Sequence, residues 1–343
     1  MSYPEKGDVV KAIIQNKYGT VDVLEIRDVE EPEIAGDEVL VRVYAAGVDR
    51  GVWHLMTGLP YFIRLILPDL GLRAPKNPVR GSDLAGVVEV VGKDVTRFTA
   101  GDEVFGVGKG SYAEYARAAE SKLAPKPANL TFEEAAVVPI SGLTALQAVR
   151  DSARVQLGQK VLVLGASGGV GTFAVQIAKS FGAEVTGVCS STKVELVRSL
   201  GADHVIDYTT TDFADAEHEY DAILDTGGHS SLSLLRRALA HDGTLVIVGA
   251  ETNGKWFGGF DRSIRAMLLS AFVRQKLNAF VNKENHEDLL AITELIEAGK
   301  VTPIVERTFP LDETAKAIAH LVDGHARGKV AITIHGAGEG GTA

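Results

Sequence analysis

Gly165, Gly168, Gly169 and Gly171 crowd into the stretch Lys160–Lys179, KVLVLGASGGVGTFAVQIAK, directly behind the apolar run Val161–Leu164. Glycine lets a backbone approach an anion with no Cβ in the way. The first N–H groups of a following helix, which lack acceptors inside that helix, then point at the anion. Between a buried strand and a helix, the natural anion is a dinucleotide pyrophosphate. Ser167, Gly168, Gly169, Val170 and Gly171 are the residues placed to hold it. The turn departs from G-x-G-x-x-G: Ala166 stands where the first Gly would be, and Gly168 and Gly171 supply the other two. It is no Walker loop, because no Lys-Ser or Lys-Thr closes it. The same residues spell G-x-S-x-G, a hydrolase nucleophile elbow, with Asp225 and His320 following Ser167 in the required chain order. A tight turn with no ligand is the third reading.

The second strand separates cofactors. In a dinucleotide-binding unit it ends beside the adenine ribose, and an NAD enzyme places Asp or Glu there, about twenty residues past the glycines. Here that place reads Cys189-Ser190-Ser191-Thr192-Lys193, with no acid. Hydroxyls and one cation suit a 2′-phosphate through charge-assisted hydrogen bonds. Ser190 and Lys193 therefore point to NADPH over NADH. Ser191 and Thr192 equally suit the cap of the next helix, and Lys193 a solvated surface. Tyr208, ending VIDY, is placed either to line an adenine pocket or to face water. Val248 and Gly249 end a later strand, where ligands of parallel sheets collect, and are candidates for backbone contact with a nicotinamide.

The elements that must position these residues follow from periodicity. Residues 9–16 and 38–46 read as strands, the second with Val39, Val41 and Val43 alternating against Leu40, Arg42 and Tyr44. Gly86–Val91 and Glu103–Val107 read as two more, so the first ~125 residues form a β-rich unit. Between them, Gly51–Arg80 is apolar and aromatic, and its prolines argue against a single helix. It serves either as a loop packed on the core or as the wall of an apolar substrate pocket. From Thr131, a helix cap followed by Glu133 and Glu134, the texture changes. Strands at Lys160–Leu164, Glu184–Val188, His204–Ile206, Ala222–Leu224 and Thr244–Val248 alternate with helices at Val170–Phe181, Val194–Leu200 and Leu232–Ala240. That alternation predicts a doubly wound parallel sheet, an α/β class. The last part reads as helices at Glu287–Ala298 and Ala315–Asp323 with strands at Thr308–Pro310 and Val330–Ile334, then a loose tail, GAGEGGTA.

The net charge of −10 argues against nucleic acid or an anionic membrane as partner. No apolar run nears the roughly 20 residues needed to span a bilayer, and MSYPEKGDVVKA lacks the apolar core of a signal peptide, so a cytoplasmic protein is expected. The single Cys189 rules out an intrachain disulfide and a multi-cysteine metal site.

These residues together resemble the medium-chain dehydrogenase/reductase superfamily, in its zinc-free quinone oxidoreductase and enone reductase group. The resemblance runs through AIIQNKYGTVDVLEIRDVEEPEIAGDEVLVRVYAAGVD, GSDLAGVVEVVG, GDEVFGVG, PISGLTALQAV, GASGGVGTFAVQIAK and ARGKVAITI, in that order, over nearly the whole chain. It implies a GroES-like β-rich catalytic domain, 1–125 with 283–343, around a Rossmann NADP-binding domain, 126–282, with the active site between them. It implies NADPH as cofactor, a small-molecule quinone or enone as substrate, and a homodimer. Zinc members carry a cysteine after the N-terminal strands, a His-Glu pair in the barrel core and a four-cysteine lobe. Here Asp49 and Ser82-Asp83 hold the first two places, which implies no metal.

The resemblance also assigns two catalytic candidates. Tyr61 lies where relatives place a pocket tyrosine, to bind a carbonyl oxygen or donate a proton, or simply to pack. Asp49 lies where quinone-reductase relatives commonly carry Asn. A carboxyl in an apolar pocket holds its proton and can donate it, and a turn aspartate is the alternative. Among rivals, a short-chain reductase needs Tyr-x-x-x-Lys, which no tyrosine here provides. An NADP-dependent alcohol or carbonyl oxidoreductase of the same fold, and an NADPH-binding sensor without turnover, remain open.

Overall fold

The computed structural model describes residues 9–67, 70–214, 219–249, 254–324 and 326–335. The GAGEGGTA tail, the residues before Val9 and Ala250 lie outside them. In chain order the first elements are strands β1 (Val9–Gln15), β2 (Leu24–Glu30) and β3 (Glu38–Val48), then helices α1 (Arg50–Thr57) and α2 (Ile63–Ile66). Strands β4 (Asp83–Val91), β5 (Glu103–Val107), β6 (Tyr115–Ala119) and β7 (Leu123–Pro125) follow, then α3 (Phe132–Ala136) and α4 (Pro139–Gln147). The middle of the chain runs β8 (Lys160–Leu164), α5 (Gly169–Ser180), β9 (Glu184–Cys189), α6 (Val194–Ser199), β10 (His204–Asp207), β11 (Tyr220–Asp225), α7 (Leu232–Ala238) and β12 (Leu239–Ile247). It closes with α8 (Phe260–Ser270), β13 (Lys276–Ala279), α9 (His286–Glu297), β14 (Val305–Pro310), α10 (Thr314–Val322) and β15 (Lys329–Thr333).

Two compact units result. One holds the residues up to Ile140, Glu284–Thr293 and those from Val305 onward; the other holds Ser141–Lys283 and Glu294–Ile304. The first unit is built on a seven-stranded mixed sheet, β14-β15-β3-β4-β5-β7, with β6 also on β3. The alternation in β3 predicts a half-buried strand, yet nearly all of it is buried. Two apolar clusters share it, one taking Val39, Val41 and Val43 and the other Ala46 and Val48. One edge pairs with β4, while the other is shared by β6 along Glu38–Arg42 and β15 along Ala45–Val48. Val39, Val41 and Val43 meet Val88, Val104 and Leu123 in one apolar cluster, each such burial being worth about 1.5–3 kcal/mol.

The expected non-helical stretch after Asp49 resolves into two short helices. Gly58, at φ +61°, ends α1 in the left-handed conformation that favours glycine. Arg64 ties the segment that follows. Its guanidinium stacks on Tyr18 at 4.0 Å and Tyr61 at 4.8 Å from the ring centroids, and donates to Gly58 O, Leu72 O and Thr57 O at 2.7, 3.2 and 3.3 Å. Arg64→Ala should lower stability by about 1–2 kcal/mol in urea unfolding and speed proteolytic nicking within 58–72. Unchanged cleavage would show that the loop is held by something else.

The second unit carries a six-stranded, wholly parallel sheet in the order β10-β9-β8-β11-β12-β13. The chain builds outward from β8 to β10, then returns to the other side of β8 with β11. That reversal between β8 and β11 is the topological switch point of a doubly wound sheet, the place where ligands of such folds bind. Helix α7 stops at Ala238, so Leu239 and Ala240, expected as helix, begin β12; Leu239 pairs with Tyr220 of β11. Ahead of this sheet, α4 runs from Pro139 to Gln147. It continues as a wider turn through Ala148–Ala153 that ends on Arg154 at φ +54°.

Candidate functional site

The glycine turn follows β8. Gly165 adopts φ +73°, Gly168 N–H donates back to Gly165 O at 2.9 Å, and Ala166 N–H donates to Val188 O of β9 at 3.1 Å. Gly168 caps α5 in an extended conformation with no side-chain bond. The N–H groups of Gly169, Val170 and Gly171 therefore face outward without an acceptor inside the helix. A Cβ on Gly171 would run into the backbone oxygen of Gly165 and lie 2.8 Å from Ala166 Cα. Glycine there lets α5 close against the end of β8. Ser167 is buried within the turn and Val170 is half-buried. The turn and the helix end thus form a cradle that fits a diphosphate, with the helix dipole adding favourable charge.

At the end of β9, Ser190 precedes a single 3-10 turn, Ser191–Lys193, and makes no capping bond there. Helix α6 starts with Lys193 at its cap position and no side-chain cap, so neither Ser191 nor Thr192 caps it. Ser191 Oγ instead meets Thr209 Oγ1 at 3.0 Å. One residue that sequence reasoning missed lies here. Asp207 ends β10 directly beside Cys189. The Ser191 and Thr209 hydroxyls and the Thr209 N–H hold its carboxyl below the usual range. The Cys189 thiol is pushed up by burial and by the Asp207 charge, against the pull of Lys193, so both charges reach this point. The acid absent from β9 stands one strand over. Tyr208, next in sequence, is 63% exposed.

The ends of β11 and β12 interlock with the same turn. Thr226 Oγ1 donates to Leu164 O at 2.6 Å. A Cβ on Gly165 would lie 2.8 Å from Thr226 Oγ1, and one on Gly249 would lie 2.6 Å from Thr226 O. The N–H groups of Val248 and Gly249 both donate to Asp225 O at 3.0 Å. A ligand at this edge must therefore meet these two residues otherwise than through their N–H groups. A polar groove of about 810 Å³, lined by Asp221, His241, Thr244 and Lys276, opens instead at the amino-terminal ends of the strands, away from the cradle.

In the other unit, Asp49 caps α1: its Oδ1 accepts from Val52 N–H at 3.1 Å, while Oδ2 is buried without a hydrogen bond. This is the turn aspartate that the sequence allowed as an alternative, with one oxygen to spare. Behind it lies a polar cluster that sequence spacing could not assemble. Asp83 is fully buried; its Oδ1 accepts from Ile140 N–H at 3.1 Å and its Oδ2 stands 4.0 Å from Lys329 Nζ, itself 1% exposed. Burial raises the Asp83 carboxyl well above its ordinary range, Asp49 adds to this, and Lys329 opposes it. Tyr112, also buried, donates its hydroxyl to Gly47 O at 3.1 Å, and burial first, then Asp49 and Asp83, raise its phenol. Tyr61 is partly exposed beside Arg64. A small cavity of about 90 Å³ between α1 and the Asn77–Ser82 segment is lined by Val52, Leu55, Leu70, Val79 and Arg80.

Residues 35–128 match the model of the alcohol dehydrogenase GroES-like domain, and residues 200–332 that of the zinc-binding dehydrogenase domain. The chain is 32% identical to the chloroplast envelope quinone oxidoreductase homolog of Arabidopsis thaliana over 95% of its own length and 99% of that protein's. The chain belongs to the medium-chain dehydrogenase/reductase superfamily. It is also 33% identical to the 2-methylene-furan-3-one reductase of Solanum lycopersicum, over 94% of this chain and 79% of that one. The solved quinone oxidoreductase of Coxiella burnetii superposes with a TM-score of 0.83 at 28% identity, covering 96% of this chain and all of its own.

In this medium-chain dehydrogenase/reductase the GroES-like and Rossmann architectures are both present, and the enzyme is an oxidoreductase that uses a nicotinamide dinucleotide. Among the described residues no group of three or more His, Cys, Asp and Glu is placed to hold a metal ion, and no helix is long and apolar enough to cross a membrane. His54 Nδ1 bonds its own turn at Leu59 O, 2.9 Å away. The hydrolase reading loses its acid and base. The Asp225 carboxylate is taken by Gly228 N–H at 2.9 Å and Arg262 at 2.7 Å, and His320 Nε2 faces Glu306 at 3.1 Å.

Proposed function

We propose that the chain is a zinc-independent, NADPH-dependent oxidoreductase that reduces a quinone or an α,β-unsaturated carbonyl compound. One observation carries it: a helix N-terminus without a side-chain cap, closed onto a glycine turn at the switch point of a parallel sheet. Ser167, Gly168, Gly169, Val170 and Gly171 hold the diphosphate; Ser190, Lys193 and Tyr208 take the adenosine end; Val248 and Gly249 form the floor at the other end. When bound, the dinucleotide supplies a hydride. The chain's own share is placement and charge. Asp49 and the Tyr61 hydroxyl are the groups assigned to the substrate in this reading. The relatives named for quinone and enone chemistry support the substrate class.

Residues 1–125 with 283–343 form the catalytic domain in this reading, and 126–282 the dinucleotide domain. Asp49, Ser82 and Asp83 leave no nitrogen or sulfur donor at the metal positions of zinc relatives, which supports work without zinc. In this reading the enzyme is cytoplasmic and acts as a homodimer, and its acidic net charge supports the lack of a nucleic-acid or anionic-membrane partner. The test mixes the protein with NADPH and a panel of quinones and enones and follows the nicotinamide absorbance. Turnover is expected; oxidation no faster than background with every acceptor defeats the substrate assignment.

Cofactor choice rests on a balance between Lys193 and Asp207. Lys193→Ala should weaken NADPH by about 10-fold or more, the worth of a charged hydrogen bond, and leave NADH nearly unchanged. Asp207→Asn should tighten NADPH a few-fold by removing a like charge. Dissociation constants for both dinucleotides decide the matter. If Lys193→Ala weakens both equally, Lys193 does not read the 2′-phosphate, and Asp207 makes NADH the cofactor to try first.

A further inference from the structure

Arg262, on the first turn of α8, reaches back into the sheet edge. Its Nη1 lies 2.7 Å from Asp225 Oδ2 and donates to Ser230 O at 2.7 Å, while Nη2 donates to Gly249 O at 3.0 Å. The Asp225 side chain is 1% exposed and that of Arg262 12%, so the pair is withdrawn from water. Asp225 Oδ1 in turn accepts from Gly228 N–H at 2.9 Å, and Asp225 O accepts from Val248 and Gly249 N–H. One guanidinium thus joins the end of β11, the Thr226–Ser230 loop and the end of β12. The planar fork of arginine is suited to this. It presents several donors in fixed directions, and a lysine cannot span the same acceptors.

We infer that Arg262 is a positioning residue that, through Asp225, sets the Thr226–Ser230 loop and the Val248–Gly249 strand end, on which the nicotinamide half of the dinucleotide rests. This depends on the cofactor reading above. The physical reason is placement. The adenosine half lies at the β9 and β10 ends, on the far side of the glycine turn, and touches none of the atoms Arg262 holds. The reacting half lies over the ends of β8, β11 and β12, where a shift near 1 Å costs rate more than affinity. Breaking a buried charge pair by removing one member leaves the other uncompensated, so the loops should move to let water reach Asp225.

The test uses the full chain and two ligands. Adenosine 2′,5′-bisphosphate reports the adenosine end alone; NADPH reports both ends. Arg262→Ala should weaken NADPH about tenfold and lower kcat by at least as much, with binding of the bisphosphate within about twofold of wild type. Arg262→Lys should keep the fold and the charge and recover part of the NADPH affinity, with kcat still reduced. Equal weakening of both ligands, or unchanged kcat in a folded Arg262→Ala protein, overturns the inference. If Arg262→Ala does not fold, Arg262→Lys decides, since wild-type kcat with lysine shows that the fork is not needed. Failure of wild-type protein to bind either ligand would instead bring down the cofactor reading itself.

Discussion

Gly171→Ala should abolish dinucleotide binding and lower stability. The added methyl has nowhere to go. It meets the Gly165 carbonyl oxygen and the Ala166 Cα, both backbone atoms of the turn that α5 is docked on. Neither can rotate aside as a side chain does, so the helix must lift from β8. Overpacking of this kind costs about 1–3 kcal/mol or more. The N–H groups of Gly169 and Val170 move with the helix, and their aim at the diphosphate is lost. Gly168 provides the contrast. Its backbone is extended, and the nearest atom to an added Cβ is Gly165 O at 3.3 Å. Gly168→Ala should therefore unfold near the wild-type temperature. The checks are thermal unfolding of both variants and NADPH titration of Gly171→Ala. Wild-type NADPH affinity in Gly171→Ala would show that the diphosphate does not lie on this turn.

Lys329→Met should destabilise the first unit in a pH-dependent way. Asp83 is an acid whose value is raised on folding, by burial and by Asp49, with Lys329 pulling the other way. For such a group the folded state holds the proton longer than the unfolded chain does. Stability is then complete below the unfolded value, about 4, and is lost as pH rises through the folded one. Removing Lys329 raises the folded value further and leaves an ionised Asp83 with no cation. Urea unfolding should show a small gap between variant and wild type near pH 5. The gap should widen toward pH 8 to about 3–5 kcal/mol, the cost of stranding one member of a buried pair. A gap that stays constant with pH would mean that Lys329 acts by packing its chain and not by its charge. The same variant tests whether the cluster beneath Asp49 matters to chemistry, because the Asp49 charge acts on the Asp83 carboxyl.

The parts of the fold that were legible in the sequence were those where one physical signal acted alone. Val161–Leu164 is buried on both faces and reads as an unbroken apolar run; the glycines behind it mark a tight turn, with Gly165 at φ +73° and Gly171 packed on the Gly165 carbonyl. Thr131 and Glu134 form a reciprocal capping box that the sequence half-announced. What stayed hidden was either irregular or long-range. In α8, Ile264, Met267 and Leu268 are half or more exposed and only Ala266 is buried, so its apolar spacing does not mark a core face. Strand β13 has four residues, too few for alternation to show. Gly51–Arg80 was readable as broken by proline but not as two helices, because Asp49 and Gly58 set the ends of the first through geometry rather than pattern.

The candidate site divides in the same way. The glycine turn is local in sequence, and strand, turn and helix follow one another as the spacing predicts. Asp207 lies beyond any motif that ends at the second strand, and only the pairing of β10 with β9 brings the third strand's carboxylate to the same edge. Asp83 and Lys329 come from distant parts of the chain and meet through the pairing of β3 with β4 and β15, while Tyr112 joins them by its bond to Gly47 O. Arg262 had no motif at all; its role appears only in the acceptors it reaches.

The most direct test of the central claim is equilibrium titration of the wild-type protein with NADPH, with NADH and with adenosine 2′,5′-bisphosphate as competitor. Saturable NADPH binding well below millimolar concentration is expected, with weaker NADH binding and displacement of NADPH by the bisphosphate. Binding of neither dinucleotide at millimolar concentration would contradict it.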